Sequence, residues 1–305
     1  MAPVRRALEG KLAIVTGASR GKIAVGNKEG FILLIEAGIG AAIARHLGAK
    51  GCNVLGVYTS NSSTQPANEL VKELTETHKV KATMVQADLS EPELAAPKVV
   101  EAARAAFASP NGDLLVDILI NNAGVGGDYR LEDVPVSEFH RMYAVNVLAP
   151  LMVTQAVLPY LPHDRSGRIV NISSVASSLG FVTHTLYGGT KAALEAMTRT
   201  WARELSERAT VNAVNPGPVE GDMYLAAGEK LWKQLEPFQL NCPLSAIRDG
   251  VDDPALVELS REKMGGRRPG YWTEVAGVVG MLCSEDSGWC TGSVVCANGG
   301  FKFTN

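Results

Sequence analysis

The sequence has no Cys-x-x-Cys pair, no His-Glu-x-x-His and no run approaching the roughly 20 consecutive apolar residues that span a bilayer. Its five cysteines (Cys52, Cys242, Cys283, Cys290 and Cys296) are odd in number, which excludes a fully paired disulfide framework. Cys283, Cys290 and Cys296 follow one another at spacings of seven and six, which match no zinc pattern, so buried free thiols and a chain without metal are expected. Neither sign of charge dominates: 29 basic residues stand against 32 acidic ones, for a net charge of −3. That balance excludes the basic footprint of a nucleic-acid binder or an anionic-membrane binder. The first ten residues carry Arg5 and Arg6 but no apolar core, and a strand-like run starts at Lys11, so no signal peptide is expected and the chain reads as cytoplasmic.

Glycine, in contrast, is abundant at 31 of 305 residues, while aromatic residues make up only 6 %. With 46 % hydrophobic residues the chain suits a sheet-and-helix protein with many tight turns, and is neither disordered nor fibrous. Short β-branched runs at 12–16, 53–58, 82–86, 116–121, 168–173, 210–215 and 293–297 alternate with helical spacing at 40–48, 67–77, 94–107, 137–160, 187–207 and 273–284. This rhythm predicts an α/β fold: a Rossmann-like, doubly wound parallel sheet of about seven strands in a three-layer α/β/α arrangement, with ligand at the carboxyl ends of the strands. No repeat or linker interrupts it, so residues 1–305 are expected to form one domain. Two segments break the rhythm, residues 22–38 and residues 218–270.

The end of each strand carries something chemical. Thr16-Gly17-Ala18-Ser19-Arg20-Gly21 follows the first strand, where glycines let backbone N–H groups approach a pyrophosphate. Ala87-Asp88-Leu89 ends the third strand and Asn121-Asn122-Ala123-Gly124 the fourth. One reading makes Asp88 a helix cap and Asn122 a turn; the other makes them contacts to the adenine end of a nucleotide. The second strand ends in Thr59-Ser60-Asn61-Ser62-Ser63, and the next acidic residue is Glu69. An NAD site wants a carboxylate there, whereas hydroxyls without one accept a 2′-phosphate, with Arg20 as a charged partner; the expected cofactor is therefore NADP(H). In the other half, Ser174 closes the fifth strand, Tyr187 lies thirteen residues on, and Lys191 lies one helical turn further. An ammonium beside a phenol favours the phenolate and lowers its pKa, which suits a general acid for a carbonyl oxygen, and a Ser hydroxyl can hold the same oxygen.

Jointly, these motifs with Asn146, Asn215-Pro216-Gly217 and Asn298-Gly299-Gly300 resemble the short-chain dehydrogenase/reductases, in particular 3-oxoacyl-carrier-protein reductases and fungal-type ketone reductases. The resemblance runs from Lys11 to Gly300, broken at the two misfit segments. It implies an NADP(H)-dependent reductase acting on a ketone or aldehyde carbonyl, or on the alcohol in reverse, and a homodimer or homotetramer. It also implies roles: Tyr187 donates the proton, Ser174 positions the carbonyl, Lys191 binds the nicotinamide ribose and tunes Tyr187, and Asn146 holds a relay water or, more plainly, bonds across a helix kink. Cofactor contacts fall on Gly17, Ser19, Arg20, Gly21, Ile39, Gly40, Thr59, Ser60, Asp88, Leu89, Asn122, Ala123, Gly124, Tyr187, Lys191, Pro216, Gly217 and Val219. Gly221 stands where the family often has Thr, so a hydroxyl contact to the cofactor is missing. Residues 218–270 correspond to a substrate lid in which Tyr224, Leu225, Leu231, Trp232 and Phe238 either roof a medium-sized apolar ketone or pack the lid down.

Removing residues 22–38 restores an unbroken Thr-Gly-Ala-Ser-Arg-Gly-Ile-Gly. The helix register therefore belongs to Gly40, and the segment is either a true loop extension or a translated intron, since Gly21-Lys22 and Ala37-Gly38 can encode splice-donor and splice-acceptor patterns. A catalytically silent NADP(H)-binding or scaffold protein, crippled by this segment, is the alternative function.

Overall fold

The computed structural model describes residues 6–19, 23–26, 32–35 and 38–303. The chain begins with β1 (Leu12–Thr16), then β2 (Ile23–Gly26) and β3 (Ile32–Ile35), followed by α1 (Ile39–Ala49), β4 (Asn53–Tyr58), α2 (Thr64–Glu76), β5 (Ala82–Gln86), α3 (Pro92–Phe107) and β6 (Ile118–Asn121). Next come α4 (Val136–Tyr143), a π-helical turn at Ala144–Leu148, α5 (Ala149–Val157), β7 (Gly167–Ile172), α6 (Ala176–Leu179), α7 (Thr185–Glu204) and β8 (Ala209–Pro216). The last part holds α8 (Asp222–Leu240), α9 (Pro254–Lys263), α10 (Trp272–Leu282) and β9 (Val294–Ala297).

Seven strands form one sheet in the order β5-β4-β1-β6-β7-β8-β9, and every neighbouring pair is parallel. The five inner strands are buried on both faces, which is why they read as continuous apolar runs, while the edge strands β5 and β9 are half-buried. The pleat sends Ala13 and Val15 of β1 into a core with α1, α2 and α10, and Leu12 and Ile14 into a second core with α3, α5 and α7. Chain order reverses between β1 and β6, so their carboxyl ends open a crevice at the switch point. Across the sheet centre, Asn121 Nδ2 donates to Asn171 Oδ1 (2.8 Å) and Asn171 Nδ2 to Thr198 Oγ1 (2.8 Å), a polar ladder that fixes α7 on the strands below the crevice.

β6 starts at Ile118, two residues later than the strand-like run 116–121 suggests, and the Asp117 carboxylate just before it takes the Leu12 backbone N–H (2.8 Å) and pairs with Lys11 (3.6 Å). On the opposite layer α1 and α10 pack so closely that a Cβ on Gly280 would stand 2.2 Å from His46 Nε2. Burial holds the His46 pKa below its ordinary value.

The helical run Val136–Tyr160 is long and apolar enough by composition to cross a membrane, with a mean hydropathy of 1.4. Here it is a core element: Met142 is buried, and Val153 and Val157 pack between the sheet and α3 and α7. It is also not uniform. Pro150 has no N–H for the carbonyl four residues back, and the Ala149 N–H instead reaches the Ala144 carbonyl, a π-type turn that brings Asn146 inward.

Within residues 22–38, β2 and β3 pair antiparallel, Ile23 facing Ile35 and Gly26 facing Ile32. This hairpin is separate from the main sheet. The described residues on either side of the segment meet, since a Cβ on Gly40 would lie 2.3 Å from the Gly17 carbonyl oxygen. The turn residue and the helix residue thus meet as the sequence register required, although 22 residues lie between them.

Candidate active site

A cleft of about 850 Å³ runs along the carboxyl ends of the strands. Among the predicted cofactor contacts it is lined by Gly17, Ser19, Ile39, Gly40, Thr59, Ser60, Asp88, Leu89, Asn122, Ala123, Gly124, Tyr187, Lys191, Pro216, Gly217 and Val219. Arg20 and Gly21 lie outside the described residues.

The glycine cradle is tight. Gly17 has φ +68, and a Cβ there would stand 3.0 Å from the Ala123 Cα, so both the conformation and the space call for glycine. Asn122 closes the turn: its Nδ2 donates to the carbonyls of Thr16 (2.8 Å) and Gly17 (3.3 Å), and its N–H donates to Thr16 Oγ1 (3.0 Å). Asp88 does not cap α3, whose N-cap is Glu91 without a side-chain bond; it closes the preceding turn, accepting from Ser90 N (2.9 Å) and Ser90 Oγ (2.8 Å), and it faces the cleft. Thr59, Ser60 and Ser63 line the cleft beyond β4, next to the start of α2. No acidic residue lies between Tyr58 and Ser63. Neutral hydroxyls near a helix start fit a phosphate on the ribose and offer nothing that grips a bare 2′-hydroxyl as a carboxylate does.

Residues 22–38 sit between the two halves of this cradle, and closing a loop from about five residues to about twenty costs roughly 1 kcal/mol. A chain lacking residues 22–38 is therefore expected to bind NADPH roughly fivefold more tightly. Fluorescence titration of both proteins measures this, and equal affinities would refute it.

Three of the four predicted catalytic residues, Ser174, Tyr187 and Lys191, line the other end of the cleft, and Asn146 is fully buried outside its lining. The Ser174 hydroxyl lies close enough to act on the Tyr187 phenol. Lys191 Nζ lies 5.7 Å from the centre of the Tyr187 ring and donates to the Ile172 carbonyl (2.8 Å). One expectation is corrected. Burial pushes the Tyr187 phenol upward, and the nearby Ser174 hydroxyl pulls the other way. Lys191 is itself desolvated and drawn down to about 8, with its ammonium committed to a backbone carbonyl, so it does not lower Tyr187 here. Asn146 uses its whole amide: Oδ1 accepts from Val125 N (2.8 Å), and Nδ2 donates to Val125 O (2.9 Å) and Thr190 Oγ1 (3.0 Å). It ties the π turn to the β6 loop and to α7, and none of these bonds runs across the helix kink itself.

The lid is only partly a roof. Tyr224, Leu231 and Leu235 line the cleft, whereas Trp232 is buried with its Nε1 on the Tyr224 carbonyl (3.0 Å) and Phe238 stacks on Phe301 (5.5 Å). Among the described residues 218–270 hold α8 and α9 and no strand, as expected. Gly221 has φ +141 where α8 begins, a backbone that a Thr would resist, so the departure there is conformational as well as a lost hydroxyl.

Several cleft residues were not anticipated. His184 Nε2 and Asp128 Oδ1 pair at 3.0 Å on the rim, with Arg141 nearby. Thr183, just before His184, has φ +74, an uncommon strain for a β-branched residue. Glu220 lies where the lid leaves the sheet, its N–H donating to the Gly270 carbonyl (2.9 Å). Burial, with Asp253 and Glu274 close by, pushes its carboxyl up to about 7, against the pull of Arg268. Its folded pKa exceeds its unfolded value, so the folded state holds the proton and stability falls as pH climbs from about 4.5 towards about 7. Glu220→Gln should remove that fall. Relative to the wild type, its Tm is expected to be higher at pH 8 than at pH 5 by roughly 2–4 °C, discounting for partial exposure. Calorimetry at the two pH values measures the difference, and a constant offset would contradict it.

The comparisons with known proteins agree with this geometry. The family profile described as short chain dehydrogenase matches residues 32–232, starting inside the hairpin and leaving β1 and the Gly17 turn outside. The chain is 55 % identical to L-xylulose reductase of Aspergillus niger, across 98 % of this chain and 99 % of that protein. It is 52 % identical to L-xylo-3-hexulose reductase of Hypocrea jecorina, again across 98 % and 99 %. Among solved structures, a blue fluorescent protein from a metagenomic library, in complex with NADPH, is 33 % identical with a TM-score of 0.74, covering 97 % of this chain and 100 % of that one. With a parallel seven-stranded sheet, a glycine cradle at its switch point and relatives of this closeness, the chain belongs to the short-chain dehydrogenase family.

Proposed function

We propose that this protein is an NADP(H)-dependent reductase of an open-chain, polyhydroxylated ketone, with Tyr187 as its general acid. The observation that carries the reading is the meeting of Ser174, Tyr187 and Lys191 at one end of a cleft whose other end is a glycine cradle and a carboxylate-free hydroxyl pocket. Gly17, Gly40 and Asn122 would hold the pyrophosphate, Thr59, Ser60 and Ser63 the 2′-phosphate, and Pro216, Gly217 and Val219 the nicotinamide. The bound cofactor supplies a hydride to the carbonyl carbon. Ser174 Oγ donates a hydrogen bond to the carbonyl oxygen, and Tyr187 Oη gives that oxygen its proton as the alkoxide develops. A phenol held upward by burial stays protonated through neutral pH, which suits the reducing direction. Lys191 would bind the ribose and return a proton towards Tyr187. The Asn146 side chain is spent on Val125 and Thr190, so a relay water would use its main-chain carbonyl, which Pro150 leaves without its i+4 partner.

The substrate class departs from the apolar ketone expected from the lid. The rim carries Asp128, His184 and Arg141, which suit substrate hydroxyls, and both relatives above are named as reductases of sugar-type ketones. Such names across nearly the whole chain also disfavour the silent-scaffold reading. The protein works as one reductase unit in the cytoplasm, as a homodimer or homotetramer. NADPH consumption on a panel of L-xylulose, L-xylo-3-hexulose and bicyclic apolar ketones tests the substrate. The ketoses are expected to show at least about tenfold higher kcat/KM; apolar ketones turning over faster would overturn the reading.

A further inference from the structure

One carboxylate beneath the site is used by none of the roles above. Glu195 lies on α7 one turn beyond Lys191 and two turns beyond Tyr187. Ser173 Oγ, next to Ser174 at the end of β7, donates to Glu195 Oε1 at 2.6 Å. Asn215 Nδ2, next to Pro216 and Gly217 at the end of β8, donates to the same oxygen at 3.1 Å. Thus a single atom joins the helix bearing the acid and the lysine, the strand end bearing the serine, and the strand end proposed to face the nicotinamide. Ser173 and Asn215 are almost fully buried, at 3 % and 1 % exposure, so their partner is not interchangeable with water.

We propose that Glu195 is a positioning residue of the reaction: it fixes the two strand ends on α7 and supplies the negative charge that keeps Lys191 an ammonium beside Tyr187. The proposal rests on the assignment of Tyr187 and Lys191 to the chemistry. Among the described residues, the other elements present neutral groups near Lys191: the Ile172 carbonyl from β7, and the β6 loop at Gly124, where a Cβ would stand 3.3 Å from Nζ and 3.4 Å from Asn146 Oδ1. On its own helix the titratable groups near it are Tyr187 and Glu195. Burial lowers the Lys191 pKa to about 8 and Glu195 is what opposes the fall, although Nζ bonds to the Ile172 carbonyl rather than to the carboxylate.

Glu195→Gln separates the two parts, because the amide oxygen still accepts from Ser173 and Asn215 while the charge is gone. In the apoprotein, the titration midpoint of the Lys191 side chain, read from its 13Cε shift and assigned by its loss in Lys191→Met, is expected to fall by about one pH unit. The alkaline limb of kcat for reduction should move down with it, while KM for NADPH stays within twofold. Glu195→Ala, which also releases the strand ends, should lower kcat by a further tenfold or more. Glu195→Asp restores the charge and should return the midpoint towards that of the wild type, which covers the case of a poorly folded Gln variant. A midpoint and alkaline limb unmoved in Glu195→Gln would overturn the proposal. Tyr187→Phe, assayed in parallel, separates the failures: if that variant stays active, the assignment of Tyr187 is wrong, and the Lys191 midpoint still reads the effect of Glu195.

Discussion

Tyr187→Phe is expected to lower kcat for ketone reduction by about 10³-fold while changing NADPH affinity by less than about twofold. The substitution removes a single oxygen. The ring that remains still packs edge-on to His184, whose centroid lies 5.7 Å away, and Lys191 keeps its bond to the Ile172 carbonyl. What disappears is the donor that neutralises the developing alkoxide, and Ser174 alone offers a hydrogen bond without a proton to give at neutral pH. Stopped-flow NADPH oxidation with a ketose, alongside fluorescence titration of the cofactor, reads the two quantities separately. Turnover retained to within tenfold would place the proton donor elsewhere, and a parallel loss of NADPH binding would make Tyr187 a structural residue.

The second large effect is expected at Gly40. A methyl group there would stand 2.3 Å from the Gly17 carbonyl oxygen and 2.4 Å from Asn122 Nδ2. The first of these atoms is backbone and cannot swing aside, and the second is the group that holds the Gly17 turn shut. Gly40→Ala is expected to destabilise the protein by about 1–3 kcal/mol through overpacking and to weaken NADPH binding by more than about tenfold, because the turn and helix must separate. Gly277→Ala is the control. Gly277 is also helical but has open space around it, so Ala should be neutral or stabilising there by up to about 1 kcal/mol. Similar behaviour of the two variants in denaturant unfolding and cofactor titration would show that the contact between Gly17 and Gly40 carries no special weight.

The sheet was legible because its inner strands are buried on both faces, and a run such as Leu12-Ala13-Ile14-Val15 leaves little choice of environment. The helix register at Gly40 was legible too, since only that glycine stands at the right distance from the second strand. Three things were not. The pairing of β2 with β3 lies in a segment whose sequence has no partner in the alternating pattern. The direction of the Tyr187 shift depends on how deeply the phenol is buried and on where the Lys191 ammonium points, and the i and i+4 spacing conveys neither. Glu195 was visible one turn past Lys191, but its meaning comes from Ser173 and Asn215, which approach it only once β7 and β8 lie side by side. Hydrogen bonds made across strand ends leave no periodic trace.

The hairpin between Gly17 and Gly40 also bears on the order in which this molecule assembles. In a chain whose glycines follow one another directly, the turn and the first helix form as one local unit soon after β1. Here the two halves are separated by residues 22–38, and their meeting becomes a long-range contact whose loop must close before any favourable interaction is made. The cradle is then expected to close late, after α1 has docked against α10 and the sheet, so that cofactor binding would join the last stage of folding. Refolding in the presence of NADPH would accordingly be faster to full activity than refolding followed by its addition, a difference that should vanish when residues 22–38 are removed.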